Sequence, residues 1–311
     1  MIHDMPDTTV SRVAKALVSM REEGGAVALG RVLTLVIASP GEHHEAAIDA
    51  ANAASAEHPM RVIVIRTDKT ASTRLDAQIR VGGDAGASEV IVLDAGGETA
   101  VNKESLVTGL LLPDAPVVVW WPDQPPANPA ESDLGHIVQR RITDTSTAGS
   151  DRQRLMQLIE AYTPGDTDLA WTRLTRWREQ LASVLDQPPF EPITAVEVRG
   201  AATSPSTALL AGWLGLALDL EVKWYTESSE VWDHGIHSVR LTRASGDIVL
   251  ERQNDTDAIL TQPGQPDHEL HLPRRSLREC LAEELRRLDP DLLYGRVLAD
   301  GWAKLPKPEK V

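Results

Sequence analysis

The sequence predicts a mixed α/β protein of two domains, the first with a mostly parallel sheet and the second an α+β domain with a mixed or antiparallel one. Three observations predict this. Unbroken aliphatic runs at Leu33 to Ala38 and Arg61 to Arg66 flank a helical stretch, at the spacing of one parallel crossover unit. Beyond Thr194 the segments are short and joined by polar turns such as Ser245-Gly246-Asp247, a rhythm that suits antiparallel pairing. A chain of 311 residues is also too long for one small core and suits two domains of about 150 residues each. Pro164-Gly165 ends a helical stretch, so the domains are placed at residues 1–165 and 166–311. Repeated strand–helix alternation in the first makes its sheet doubly wound, a Rossmann-like arrangement.

Taken in order, Val10, Val13, Ala14, Leu17 and Val18 recur at helical spacing, and Gly24-Gly25 stops the pattern. Leu33 to Ala38 reads as a strand buried on both faces, and Ser39-Pro40-Gly41 turns the chain into a helix over about residues 42–57. After the strand Arg61 to Arg66, further strands are expected at Arg74 to Val81, Glu89 to Leu93 and Val117 to Trp121, with a helix at Lys103 to Leu111. Proline-rich Asp123 to Ser132 is a loop, Arg140 to Thr145 one more strand, and Asp151 to Tyr162 a helix.

A long Trp/Arg-rich junction helix then opens the second domain, running from Asp168 to Leu185. Asp166 or Thr167 is expected to cap it, with Asp168 in its first turn at the positive dipole end. Trp171, Leu174, Leu181 and Leu185 form one apolar stripe that Trp177 and Val184 widen, while Arg173 and Arg176 lie elsewhere on its surface. Gln187-Pro188-Pro189 breaks it. Strands follow at Thr194 to Val198, Glu221 to Tyr225, His237 to Thr242, Ile248 to Arg252 and His268 to Leu272. Helices are expected at Pro205 to Leu218, Leu277 to Leu288 and Leu292 to Ala299, and the Pro/Lys-rich tail from Pro306 is expected to be disordered.

Composition narrows the function. A formal net charge of −15 repels phosphate backbones and anionic headgroups, so neither nucleic acid nor membrane is an expected partner. No apolar run reaches membrane-spanning length and Asp4, Pro6 and Asp7 stand where a signal peptide needs basic then apolar residues, which makes the expected location cytoplasmic. Cys280 is the only cysteine, which excludes an intrachain disulfide and a multi-cysteine zinc site, and its spacing with Leu277, Leu281 and Leu285 makes it a small core residue.

No motif of a known chemistry is present. Gly82-Gly83-Asp84-Ala85-Gly86 leads into a strand, not a helix, and so reads as a hairpin turn more than a phosphate loop. Ser39-Pro40-Gly41 has the strand-to-helix context of a nucleotide site but lacks the further glycines. His43-His44 and Asp233-His234 with His237 lack the spacing of a metal set, and no Gly-x-Ser-x-Gly, HExxH or Walker sequence occurs. No catalytic residue, cofactor or metal is therefore expected, although a pair of carboxylates converging only in space escapes such a reading.

The tryptophans carry more information. Eight of them stand against three tyrosines and one phenylalanine, which replaces the usual core aromatics with the residue most favoured at binding hot spots. Trp120 and Trp121 close a strand at its carboxyl end, with their rings sent to opposite faces. The segments Val117-Val118-Val119-Trp120-Trp121-Pro122, Arg141-Ile142-Thr143-Asp144-Thr145-Ser146 and Asp168-Leu169-Ala170-Trp171-Thr172-Arg173-Leu174-Thr175-Arg176-Trp177-Arg178 resemble the glucose-6-phosphate dehydrogenase assembly proteins, the OpcA family. That resemblance implies a non-enzymatic protein that binds glucose-6-phosphate dehydrogenase, acts as its assembly factor or allosteric activator, and so supports the pentose phosphate pathway and NADPH supply. Cyanobacterial members are similar to redox-controlled adaptors with several cysteines, a mechanism that Cys280 alone cannot copy.

The partner-binding residues expected on this reading are Trp120, Trp121, Asp168, Trp171, Arg173, Arg176, Trp177 and Arg178, with the arginines and a tryptophan edge presented to the dehydrogenase. The competing expectation is that the tryptophans cement the domain joint. A rival function is a sugar-phosphate or nucleotide site at the carboxyl edge of the first sheet, near Trp121, Asp144 and Ser146.

Overall fold

The computed structural model describes residues 1–23, 32–39, 44–81, 89–146, 152–227 and 235–310. They fall into two compact units that alternate along the chain. The first takes Met1–Asp144, Ala161–Thr167 and Leu277–Pro290; the second takes Thr145–Glu160, Asp168–Ser276 and Asp291–Val311. One cut after residue 165 therefore leaves Leu277–Pro290 out of the first unit.

The first unit holds β1 (Ile2–Met5), α1 (Val10–Glu23), β2 (Leu33–Ala38), α2 (His44–Ala54), β3 (Met60–Asp68), β4 (Arg74–Arg80), β5 (Glu89–Gly96), α3 (Lys103–Val107), β6 (Val117–Trp121), β7 (Arg140–Thr143) and β8, which runs to Asp168 from Asp166. The sheet order is β1-β4-β5-β3-β2-β6-β7-β8. From β5 to β7 neighbouring strands are parallel, while β4 and β1 add antiparallel at one edge. β2 and β6 are buried at every position, which is why their sequences are continuous aliphatic runs and not alternations. β4 alternates buried with half-buried residues, as a strand with one covered face must. Val13 and Leu17 of α1 share a core with Val36, Ile63, Ile91 and Val119. The flanks of the glycine-rich segment 82–86, β4 and β5, pair antiparallel, but the segment lies outside the described residues.

Several of the buried charges in this unit are paired. Arg61 and Glu89, register partners on β3 and β5, bond at 2.7 Å, and Arg61 also donates to the Leu110 carbonyl. Arg140 on β7 bonds to Glu284, in the helix Leu277–Arg286, and to the Asp289 carbonyl. That helix, packed on α2, is held by a charge pair as well as by Cys280, Leu281 and Leu285, all buried.

The second unit carries α4 (Arg152–Glu160), α5 (Leu169–Thr172), α6 (Thr175–Leu185), β9 (Ala195–Ala201), α7 (Pro205–Leu218), β10 (Val222–Glu227), β11 (Ile236–Arg243), β12 (Gly246–Arg252), β13 (Asp257–Thr261) and β14 (His268–His271). After the helix Leu277–Arg286, α8 in chain order, come α9 (Leu292–Arg296) and β15 (Glu309–Lys310). The sheet order is β14-β13-β12-β11-β9-β10-β15, antiparallel from β14 to β9 and parallel from β9 to β15. This is the mixed sheet the sequence predicts. The tail expected to be disordered instead supplies β15, whose Glu309 pairs with Tyr225.

α7 crosses over between β9 and β10 and is buried at Pro205 to Gly212 and at Leu214, because its sequence is apolar nearly all round. At Gly212 and Gly301 two backbones touch: a Cβ on Gly301 meets the Gly212 carbonyl oxygen at 2.4 Å. The helix expected from Asp168 to Leu185 is two helices. Asp168 is the N-cap of α5, accepting from the Ala170 amide at 2.8 Å, and α5 stops after one turn. The Thr172 carbonyl bonds instead to Arg275 at 2.8 Å and to the Thr175 hydroxyl at 3.0 Å, so a distant arginine ends the helix.

Candidate functional site

In each unit the topology gathers polar groups at a strand or helix end. In the first, the chain runs from β2 outward to β3 on one side and comes back to β6 on the other, so the carboxyl ends of β2 and β6 flank a topological switch point. There the Ser39 hydroxyl, fully buried, donates to Asp123 at 2.6 Å. Trp120 and Trp121 lead up to it, at 0% and 3% exposure, with Trp121 in the core of Val117 and Val119 and Trp120 on the opposite face. Both rings are packing residues. Asp144 is buried in the same unit, whereas Ser146 belongs to the second.

In the second unit a cavity of about 420 Å³ opens beside α6 and the amino terminus of α7. Five arginines line it: Arg173 and Arg176 from the α5–α6 turn and α6, Arg252 from the end of β12, and Arg274 and Arg275 from the strap after β14. Among the described residues no aspartate or glutamate lines it. Leu174, Trp177, Ile236 and Leu272 supply apolar wall, and Ser204 and Ser206 supply hydroxyls.

Backbone carbonyls help to position three of the guanidinium groups. Arg252 donates through one nitrogen to the carbonyls of Leu272 at 2.8 Å and of Asn254 and Asp255 at 3.2 Å. Arg176 donates to the Pro273 carbonyl at 3.0 Å, and Arg275 to that of Thr172. Arg274 also pairs with Asp255, at 2.8 Å. Its guanidinium also crowds Gly235, which has φ +79° and where a Cβ meets Arg274 at 2.0 Å.

Arg252 is the deepest of the set, 4% exposed, its guanidinium carbon 5.6 Å from the centre of the Trp177 ring, and its Nε buried with no partner among the described residues. Burial pushes its guanidinium down to about 10, the nearby Arg274 charge adds to the effect, and Asp255 opposes it. Arg252 remains charged at neutral pH. A buried charge without a carboxylate is costly, and an anion in the cavity offsets that cost.

The structure divides the eight residues expected to bind a partner. Arg173, Arg176 and Trp177 come together in the cavity. Asp168, 1% exposed, is a clamp inside the second unit that accepts from the Thr145 amide and hydroxyl as well as from Ala170. Trp171, 1% exposed, donates its indole N–H to Asp291 at 2.8 Å, packs at a tilt against Tyr294 and carries Arg178 over its ring. With Trp224 also buried, five of the seven tryptophans among the described residues are interior. Among the described residues, Phe190 is an aromatic that faces solvent, 76% exposed, on a loop pinned by Arg243 to the Pro189 carbonyl and by the Ser245 amide to Glu191.

Among the described residues no group of three or more His, Cys, Asp or Glu is arranged to hold a metal ion, and no helix is long and apolar enough to cross a membrane. His44 lies 3.2 Å from Arg66, and His237 bonds to Glu227 at 2.8 Å; His43, Asp233 and His234 lie outside the described residues.

Two family models match the chain. The glucose-6-phosphate dehydrogenase subunit N-terminal domain matches residues 51–160, and the C-terminal domain of the same subunit matches residues 164–298. The chain belongs to the OpcA family. It is similar to the OxPP cycle protein OpcA of Nostoc punctiforme, at 30% identity over 154 residues, 47% of this chain and 33% of that protein. It is also similar to the Synechocystis protein of the same name, at 31% identity over 104 residues, 32% of this chain and 22% of that one. The matched region thus spans a third or less of the length of these OpcA relatives. Among solved structures, the chain has a TM-score of 0.44 to glucose-6-phosphate 1-dehydrogenase of Mycobacterium avium, at 12% identity over 89% of this chain and 93% of that one. For an oxidoreductase of Sinorhizobium meliloti the values are 0.43, 10%, 86% and 86%. Scores this low carry no functional inference. All five cavity arginines lie within the OpcA C-terminal match.

Proposed function

We propose that this OpcA-family chain is a non-catalytic partner of glucose-6-phosphate dehydrogenase, binding it in the cytoplasm and promoting its assembly or activity, and thereby supporting the oxidative pentose phosphate pathway. The observation that carries this reading is the consecutive match of both domain models, which between them take in most of the chain and describe a subunit of that dehydrogenase. Activation of this kind needs differential affinity: the chain binds the active or oligomeric dehydrogenase more tightly than the inactive form. Phe190 supports a contact surface, since an exposed aromatic held on a pinned loop loses little entropy when it is covered.

The test is calorimetric titration of the purified chain into the dehydrogenase of its own cell, with dehydrogenase activity followed in parallel. Saturable binding accompanied by a rise in activity supports the reading. Absence of both, or turnover of a substrate by the chain alone, overturns it.

A further inference from the structure

We propose that the arginine cavity of the second unit is a binding site for a phosphorylated small molecule, a ligand carrying a phosphate monoester or diphosphate. The surrounding chain is strongly acidic, yet this one concavity is lined by five guanidinium groups and, among the described residues, by no carboxylate. Guanidinium groups match the tetrahedral oxygens of phosphate in fixed, bidentate geometry. They stand ready for it, because backbone carbonyls already hold Arg176, Arg252 and Arg275 in place.

Two further features fit the same ligand. Arg252 is buried with an unpartnered Nε, and the 14-residue helix α7 ends its positive pole at Ser204 to Ser206 on the cavity wall. The volume, about 420 Å³, is in the range of small-molecule sites. The wall formed by Leu174, Trp177, Ile236 and Leu272 gives the organic part of the ligand an apolar surface. A bound dianion neutralises the repulsion between Arg252 and Arg274, so the ligand stabilises the fold as well as filling the space.

The experiment uses the full chain without any dehydrogenase, so its outcome is independent of the proposed partnership. Inorganic phosphate, pyrophosphate and glucose 6-phosphate are titrated by calorimetry at about 0.15 M ionic strength, with glucose as the uncharged control. The expected result is saturable binding of at least one phosphorylated probe at one site per chain, a rise in melting temperature with that probe, and no response to glucose. Arg173→Gln and Arg274→Gln, on side chains less buried than Arg252, are expected to weaken binding by about tenfold or more while melting near the parent. No response to any of the three phosphate probes overturns the proposal. So does binding that survives both substitutions, which places the anion elsewhere.

Discussion

The guanidinium of Arg178 lies 3.9 Å from the centroid of the Trp171 ring, whose indole N–H is bonded to Asp291. An arginine expected to meet a partner is thus part of how the second unit holds its own tryptophan. Arg178→Ala is expected to cost about 1–2 kcal/mol and to lower the melting temperature by several degrees, whether or not a partner is present. Thermal denaturation followed by circular dichroism measures it; a melting temperature unchanged within a degree refutes the stabilising role.

Trp171→Phe keeps a ring and removes the N–H. Asp291 also caps α9 through the Tyr294 amide at 2.9 Å, so the substitution leaves part of that carboxylate unpaired. The expected loss is about 1–3 kcal/mol, read from urea unfolding, and Asp291→Asn is expected to recover none of it.

Gly301→Ala and Gly235→Ala separate two kinds of crowding. At Gly301 the new methyl meets the backbone of Gly212, which cannot step aside without moving α7. At Gly235 it meets the end of the Arg274 side chain, which can swing away, leaving chiefly the strain of positive φ. Gly235→Ala is expected to cost about 1–2 kcal/mol, and Gly301→Ala distinctly more. Equal losses in chemical denaturation contradict this account.

The Arg80 guanidinium, at 2.8 and 3.0 Å from the Glu45 carboxyl oxygens, holds that carboxyl below its usual value. Such a group stabilises the fold above the unfolded value of 4.5, and the contribution is lost as pH falls through the lower folded value. Glu45 is 53% exposed, so the effect is screened to a few tenths of a kcal/mol. Glu45→Gln is expected to melt slightly below the parent at neutral pH and to converge with it as pH falls through the lowered folded value. A gap that widens on acidification has the wrong sign.

Phe190→Ala is expected to leave stability within about 0.5 kcal/mol of the parent, since the ring is mostly in solvent. On the proposed function it weakens association with the dehydrogenase. Calorimetry on the pair distinguishes this from a residue that merely happens to be exposed.

How much of this was legible depends on where the deciding partner sits. β6 could be read to the residue, because a run of three valines and two tryptophans is closed by Pro122. α7 could also be read, with Pro205 at its first position fixing the start. β1 and β13 could not: Ile2–Met5 and Asp257–Thr261 are short, and each becomes a strand by pairing with a neighbour the local pattern does not mention. The break in the junction helix was hidden for the same reason, since Arg275, about a hundred residues downstream, takes the Thr172 carbonyl. The tryptophan count pointed to the surface, whereas buried N–H groups with partners such as Asp291 and the Pro306 carbonyl put two of the rings in the interior. The cavity was half visible. Arg173 and Arg176 stood out in the sequence, but Arg252, Arg274 and Arg275 reach it only through the sheet and the strap after β14.

The late return of Leu277–Pro290 to the first unit has a consequence for biosynthesis. While the ribosome is still translating the second half, the nascent first unit has its parallel sheet but lacks the helix that packs on α2, and Arg140 waits without Glu284. Its last step of folding cannot precede synthesis of residue 290, so neither half matures as a free-standing product and the polypeptide is committed to being made whole.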